Sequence, residues 1–157
     1  MVKEQFATIL DELGRILHIR LAPDSHGACQ IKQTSGLRVH IEPDSTGEKI
    51  MFVADLGTPP VGRYRENLFR EALKANGLPM PRQGIFSYSK KKDSLVLFDW
   101  LLLNDLSGQK VADFLTPFIQ KAELWRQAIP KGEIPSYTGN ELSFGKTHTG
   151  SGMFGLG

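Results

Sequence analysis

Along the first third of the chain the spacing of apolar residues changes twice. Phe6, Ile9, Leu10, Leu13, Ile16 and Leu17 recur three and four positions apart, which gathers them on one stripe and predicts a helix from about Lys3 to His18. After the turn chemistry of Ala22-Pro23-Asp24-Ser25-His26-Gly27 the period falls to two. Cys29 and Ile31 alternate with Gln30 and Lys32, and Leu37, Val39 and Ile41 alternate with Arg38, His40 and Glu42. Two strands are therefore expected, joined by a short hairpin connection at Thr34-Ser35-Gly36. Pro43 to Gly47 forms another turn. Lys49 to Leu56 then reads as a third strand, and its run Ile50-Met51-Phe52-Val53-Ala54, apolar throughout, places it deep.

Thr58-Pro59-Pro60 predicts the start of a second helix, because threonine caps free N–H groups and proline has its φ already set for a first turn. The helix body is expected over about Gly62 to Ala75, with Tyr64, Leu68, Phe69, Ala72 and Leu73 as its stripe. Asn76-Gly77 offers a left-handed stop, and Pro79 and Pro81 prevent resumption. Gly84 to Ser89 and Ser94 to Leu103 then read as a hairpin. The second of these contains Leu95 to Leu103, where eight of nine residues are apolar, too short for the roughly 20 residues of a membrane helix and in need of cover on both faces. Its even positions, Val96, Phe98, Trp100 and Leu102, are read as the face that meets helices. The odd face, where Asp99 interrupts Leu95, Leu97, Leu101 and Leu103, is read as a boundary near a subunit contact. Asn104 to Ser107 offers caps for a last helix with the stripe Val111, Phe114, Leu115, Phe118, Ile119, Ala122 and Trp125, in which Pro117 predicts a kink. Past Pro130 periodicity ends: residues 131–157 hold 7 of the 16 glycines, the composition of a flexible tail.

A chain of 157 residues buries enough surface for one core without staples. Its single cysteine, Cys29, excludes an internal disulfide framework, and Glu4 stands where a signal peptide would place its apolar stretch, so a cytoplasmic protein is expected. The net charge of +2 does not call for a nucleic acid or a membrane surface. The charge is unevenly spread, with 6 basic and 8 acidic residues in positions 1–60 against 11 and 7 in positions 61–130.

The constellations that would signal chemistry fail on context. Asp24-Ser25-His26 holds the residue types of a hydrolytic triad, but three consecutive residues cannot orient one another as a triad requires, and a turn is expected. His18, His26, His40 and His148 lack metal-ligand spacing. Gly150 to Gly155 fits G-x-G-x-x-G without a preceding strand or a following helix, and Gly139 to Thr147 misses a phosphate-binding loop by one residue. Lys90-Lys91-Lys92, with Arg63, Arg65 and Arg70, has no interleaved aromatic residues for stacking bases; a solvated face or an acidic protein partner suits it better. No enzyme activity and no cofactor is expected.

The order helix, three strands, helix, two strands, helix, together with particular words in the sequence, resembles the class I type III secretion chaperones, the Tir-chaperone family. The resemblance rests on Phe52-Val53-Ala54-Asp55-Leu56-Gly57-Thr58-Pro59, on Leu68 to Leu73 followed by Lys74-Ala75-Asn76, on Gly84, on Leu101-Leu102-Leu103-Asn104, and on Phe118 to Arg126, and it covers residues 1–130. It implies a two-layer α+β protomer, α-β-β-β-α-β-β-α with a mainly antiparallel sheet, in a cytoplasmic homodimer. It further implies binding of an extended segment near the N-terminus of secreted effectors and delivery to components of the secretion apparatus, without nucleic acid or membrane insertion. By the resemblance, effector contacts fall to Leu10, Leu13, Leu17, Cys29, Ile31 and Val39, with Arg38 and His40 as polar orienters, and the dimer interface to Leu68, Phe69, Leu73, Ile85 and Phe86. The bland alternative for each apolar member of both sets is protomer core. A dimeric protein-binding module outside secretion is the alternative function.

Overall fold

The two periodicities fold as their spacing requires. A computed structural model describes residues 1–79, 83–138 and 141–144. Its elements are α1 (Val2–Leu17), β1 (Cys29–Lys32), β2 (Arg38–Pro43), β3 (Lys49–Gly57), α2 (Arg63–Asn76), β4 (Ile85–Ser89), β5 (Ser94–Leu102) and α3 (Gly108–Lys131), followed by β6 (Pro135–Thr138) and β7 (Glu141–Phe144). The first five strands form one sheet in the order β1-β2-β3-β5-β4, antiparallel at every step. The expected α+β order is thus present.

Alternation turns Cys29, Ile31, Val39, Ile41, Ile50, Phe52, Ala54, Leu56, Leu95 and Leu97 to one face of the sheet, where they join Phe6, Leu10, Leu13, Phe118 and Trp125 of α1 and α3 in the core. Phe52 meets Phe114 at 4.7 Å between ring centroids, and Phe86 meets Trp125 at 4.3 Å. The amphipathic stripe of α1 packs against α3, which itself lies on β3. α1 ends where His18 adopts a left-handed φ of 58°, and α3 starts at the expected cap, with Ser107 accepting from the Lys110 N–H.

The faces of β5 are the reverse of those expected. Leu97 and Asp99 lie opposite Ala54 and Phe52, so the odd residues share the helix-covered face, while Val96, Phe98 and Trp100 lie opposite Asp55, Val53 and Met51 on the open one. The reason is register: Phe52 and Ala54 are wholly buried and fix the parity of the strand paired to them. Asp99 is tolerated because its carboxylate accepts the neighbouring Trp100 N–H at 2.8 Å on a half-buried part of the strand.

Two further expectations change, both at the ends of α2. α2 starts not at Thr58 but after Gly62, which takes φ 134°, and no side chain caps it; the Pro59 carbonyl instead accepts from Arg65. Its C-cap, Gly77, is right-handed at φ −88°, and the Asn76 side chain is used elsewhere. α3 runs through Pro117 as one element to Lys131, with the Thr116 hydroxyl donating to the Ala112 carbonyl beside the missing N–H, and Gly132 at φ 66° ends it. In the segment read as a tail, β6 and β7 pair as a two-stranded hairpin. Pro81, His148, Gly150 to Gly155 and most of Gly139 to Thr147 lie outside the described residues.

Candidate functional site

The N-terminal edge of the sheet offers main chain. Cys29 and Ile31 pair with Ile41 and Val39, and the Gln33 N–H continues the same register to the Leu37 carbonyl at 2.8 Å. Antiparallel alternation then turns the N–H and C=O of Gln30 and Lys32 away from β2. Among the described residues no backbone group meets them there; the Cys29 thiol lies 3.9 Å from the Gln30 carbonyl. Burial raises the pKa of that thiol above its ordinary value, which keeps it protonated and unreactive.

The C-terminal end of α1 leads into the segment that precedes β1. The Ile19 N–H returns to the Gly14 carbonyl at 2.9 Å, and a Cβ at Gly14 would stand 2.6 Å from the Ile19 oxygen, so only glycine admits this close turn. Ile19, 46% exposed, lines a shallow hollow with Ala7, Gly14, Leu21 and Ala22 and with Arg15 and His18, and Ile16 and Leu17 are partly exposed on the last turn of the helix. The hollow leads to the turn before β1, where the Asp24 carboxylate accepts the N–H groups of His26 and Ala28. Those bonds hold its pKa below the ordinary carboxylate range.

The open face of the sheet is divided in two. Near β1 and β2 it presents Gln30, Lys32, Arg38 and His40, with Asp55 and Lys92 3.8 Å apart at the border. Towards β5 it turns apolar, with Met51, Val53, Val96, Phe98, Trp100 and Leu102, the last 62% exposed. Lys49 Nζ stands 4.9 Å from the Trp100 ring centre.

At the far edge, Phe69, Ala72 and Leu73 of α2 and Phe86, Tyr88 and Leu95 of β4 and β5 enclose an apolar hollow of about 160 Å³, with Leu73 70% exposed at its rim. Arg65 ties α2 to the β4–β5 turn, donating to both Asp93 oxygens at 2.9 and 3.1 Å and to the Pro59 carbonyl, while the Tyr88 hydroxyl donates to Asp93. The Arg65 guanidinium, then the Tyr88 hydroxyl, holds the Asp93 carboxyl below its ordinary pKa. Tyr64, next to Arg65, ties the same end of α2 to the segment after α3, its hydroxyl donating to the Glu133 carbonyl at 2.7 Å, and burial pushes its pKa up to about 12.

Of the residues expected to touch an effector, Leu10, Leu13, Cys29, Ile31 and Val39 are buried in the protomer core, so their surface is already used by the fold. Leu17, at the α1 end, and Arg38 and His40, on the open face, remain accessible. Of the expected dimer contacts, Leu68 and Phe86 are buried, Phe69 and Ile85 half-buried and Leu73 exposed. Sequence reasoning missed the backbone of Gln30 and Lys32, which no side-chain pattern announces, and Ile19, which follows the helical stripe without belonging to it.

Asp24, Ser25 and His26 form the turn already described, and among the described residues no group of His, Cys, Asp and Glu gathers as a metal site. No described helix is long and apolar enough to cross a membrane.

Comparison with known proteins yields one family. The model of the Tir chaperone protein (CesT) family matches residues 8–126. Among solved structures, a chain of the HopA1–SchA chaperone–effector complex is similar at 18% identity, with a TM-score of 0.66 over 80% of this chain and 96% of that one. The Yersinia pestis type III secretion chaperone SycH, in complex with a stable fragment of YscM2, gives 20% identity and a TM-score of 0.58, covering 76% and 98%. The ExoT–SpcS complex from Pseudomonas aeruginosa gives 14% and 0.59, covering 76% and 96%. At these identities the likeness is one of fold. Among curated proteins none matches.

Proposed function

We propose a function from one premise: the chain belongs to the Tir chaperone protein (CesT) family. It is a type III secretion chaperone of the bacterial cytoplasm that binds the N-terminal region of a secreted effector in extended form. It keeps that region competent for export and hands it to the secretion apparatus, and it works as a homodimer without a cofactor. The observation that carries this reading is the family match over residues 8–126, which spans nearly all of α1 to α3 and so the whole sheet with its helical cover.

The geometry supports a place for such a client. An extended segment adds to a sheet edge through main-chain hydrogen bonds, which gives affinity without demanding one client sequence. The outward groups of Gln30 and Lys32 offer that edge, Leu17 with Ile16 and Ile19 offer apolar contacts for alternate client side chains, and Arg38 and His40 orient polar ones. The second copy fits the apolar surface at Phe69, Leu73 and Ile85, continuous with the exposed side of β5.

Co-purification from the native cell followed by mass spectrometry tests the reading. It is expected to recover a secreted protein bound through its N-terminal region, and a client that is never secreted would favour the dimeric module outside secretion. Lys32→Pro tests the edge, since proline removes the outward N–H and is tolerated on edge strands. That variant is expected to keep its fold and assembly state and lose at least about tenfold in client affinity, roughly 1.4 kcal/mol; unchanged capture would place the client elsewhere.

A further inference from the structure

The two ends of the sheet, β1 and β4, are both edge strands, and an edge strand exposes a row of main-chain donors and acceptors to any chain that can pair with it. The side chains around them differ. On β4, the Asn76 side chain from the end of α2 reaches Phe86 twice: its Nδ2 donates to the Phe86 carbonyl at 2.9 Å, and its Oδ1 accepts the Phe86 N–H at 2.8 Å. Those two bonds reproduce what one residue of a neighbouring antiparallel strand would make. We propose that Asn76 closes the β4 edge against strand addition, leaving β1 as the strand-accepting edge of the protomer.

Three observations support a sealing role over a simple helix stop. The Asn76 side chain makes no bond within its own helix, whose end is served by the Gly77 N–H returning to Lys74 and Ala75. Only an amide serves, because donor and acceptor are needed together: aspartate lacks the donor, leucine lacks both, and glutamine is one methylene too long for the same approach. The neighbouring positions are also held. Lys121, buried beneath the strand, donates to the Gly84 carbonyl at 3.0 Å with its Nζ 4.8 Å from the Phe86 ring centre. Tyr88, the next residue whose main chain turns outward, is fixed by its hydroxyl bond to Asp93 and by Phe69 at 5.8 Å between ring centroids. Among the described residues nothing comparable reaches the outward groups of Gln30 and Lys32. A protein that presents one edge to extended chains gains by closing the other, because two open edges let copies pair with one another end to end.

The test reads self-association and amide exchange, not client capture, so its outcome is independent of the function proposed above. In Asn76→Ala, exchange of the Phe86 amide is expected to rise about five- to tenfold, the effect of losing one ordinary hydrogen bond, and the mass in analytical ultracentrifugation is expected to climb with concentration above that of the parent. Adding Ser87→Lys on the open side of β4 is expected to return the mass to the parent value. Asn76→Asp keeps the acceptor for the Phe86 N–H and loses the donor; it is expected to associate to a smaller degree and carries the test if the alanine variant does not fold. A folded Asn76→Ala with parent exchange and mass would overturn the proposal, as would association that Ser87→Lys leaves unchanged.

Discussion

On the helix side of the sheet, Ile50, Phe52, Ala54, Leu95 and Leu97 are buried in the core with α1 and α3, whereas on the opposite side Met51, Val53, Val96, Phe98, Trp100 and Leu102 have no described helix over them. The residue types are nearly the same. What differs is cover, and with it the work that each set does. The covered set loses water on folding and stabilises the protomer by burial and close packing. The open set keeps part of its surface in water and releases that water only where something further covers the face. The two ends of the sheet repeat the lesson for the main chain: the outward groups of Phe86 are satisfied by Asn76 at β4, whereas among the described residues no backbone group or side-chain amide meets those of Gln30 and Lys32 at β1.

The contrast between faces breaks most clearly on a paired truncation. Phe52→Ala removes a ring wholly inside the core and is expected to cost about 3–5 kcal/mol in denaturant unfolding, while Trp100→Ala, on the open face, is expected to cost about 1 kcal/mol or less at the same protein concentration. Equal costs would mean that the open face is packed as tightly as the covered one.

A charge on α1 sharpens the same division within a single helix. Leu13→Asp places an unpaired carboxylate where the side chain is fully buried and is expected to leave no cooperative unfolding transition by circular dichroism. Ile16→Asp, one turn on and 38% exposed, is expected to fold with the parent midpoint within about 1 kcal/mol and to weaken client capture. If Ile16→Asp captures client as well as the parent does, the α1 end plays no part in binding.

The smallest effect expected is one of pH. The Asp93 carboxyl is held below its ordinary pKa by Arg65 and Tyr88, so the contribution of this cluster is present above the ordinary carboxylate pKa and is lost as pH falls through the lowered folded value. Because Asp93 is half-exposed, the contribution is small. Asp93→Asn is expected to lower the thermal midpoint slightly at pH 7, and the gap to the parent is expected to close in the acid range; a gap that stays constant with pH would assign the effect to geometry instead of charge.

Much of this architecture is legible in the residues. The stripe Phe6 to Leu17, the alternation of Cys29 to Ile41 and the Ser107 cap each correspond to an element, because period and capping chemistry act over one or two turns. The fourth and fifth strands and their shared hairpin are equally plain. The accessible part of the candidate site is legible only in fragments. Leu17, Arg38 and His40 stand at the surface, while Leu10, Leu13, Cys29, Ile31 and Val39, drawn from the same patterns, are core. An apolar stripe marks a side chain for burial and leaves open whether its own protomer or a client does the burying.

The sequence by itself determined the element order from α1 to α3 and the turn at Asp24-Ser25-His26, since these follow from local spacing and residue type. Tertiary structure alone decided which face of β5 lies under helices, because a strand apolar on both sides carries no parity of its own and takes it from register with Phe52 and Ala54. It also decided the fate of Asn76, which reads locally as a helix stop and becomes the partner of Phe86 only when ten residues of chain fold β4 back along α2. Open and closed edges are properties of main-chain groups whose identity never varies along the chain, and only the packing of neighbours around them tells one from the other.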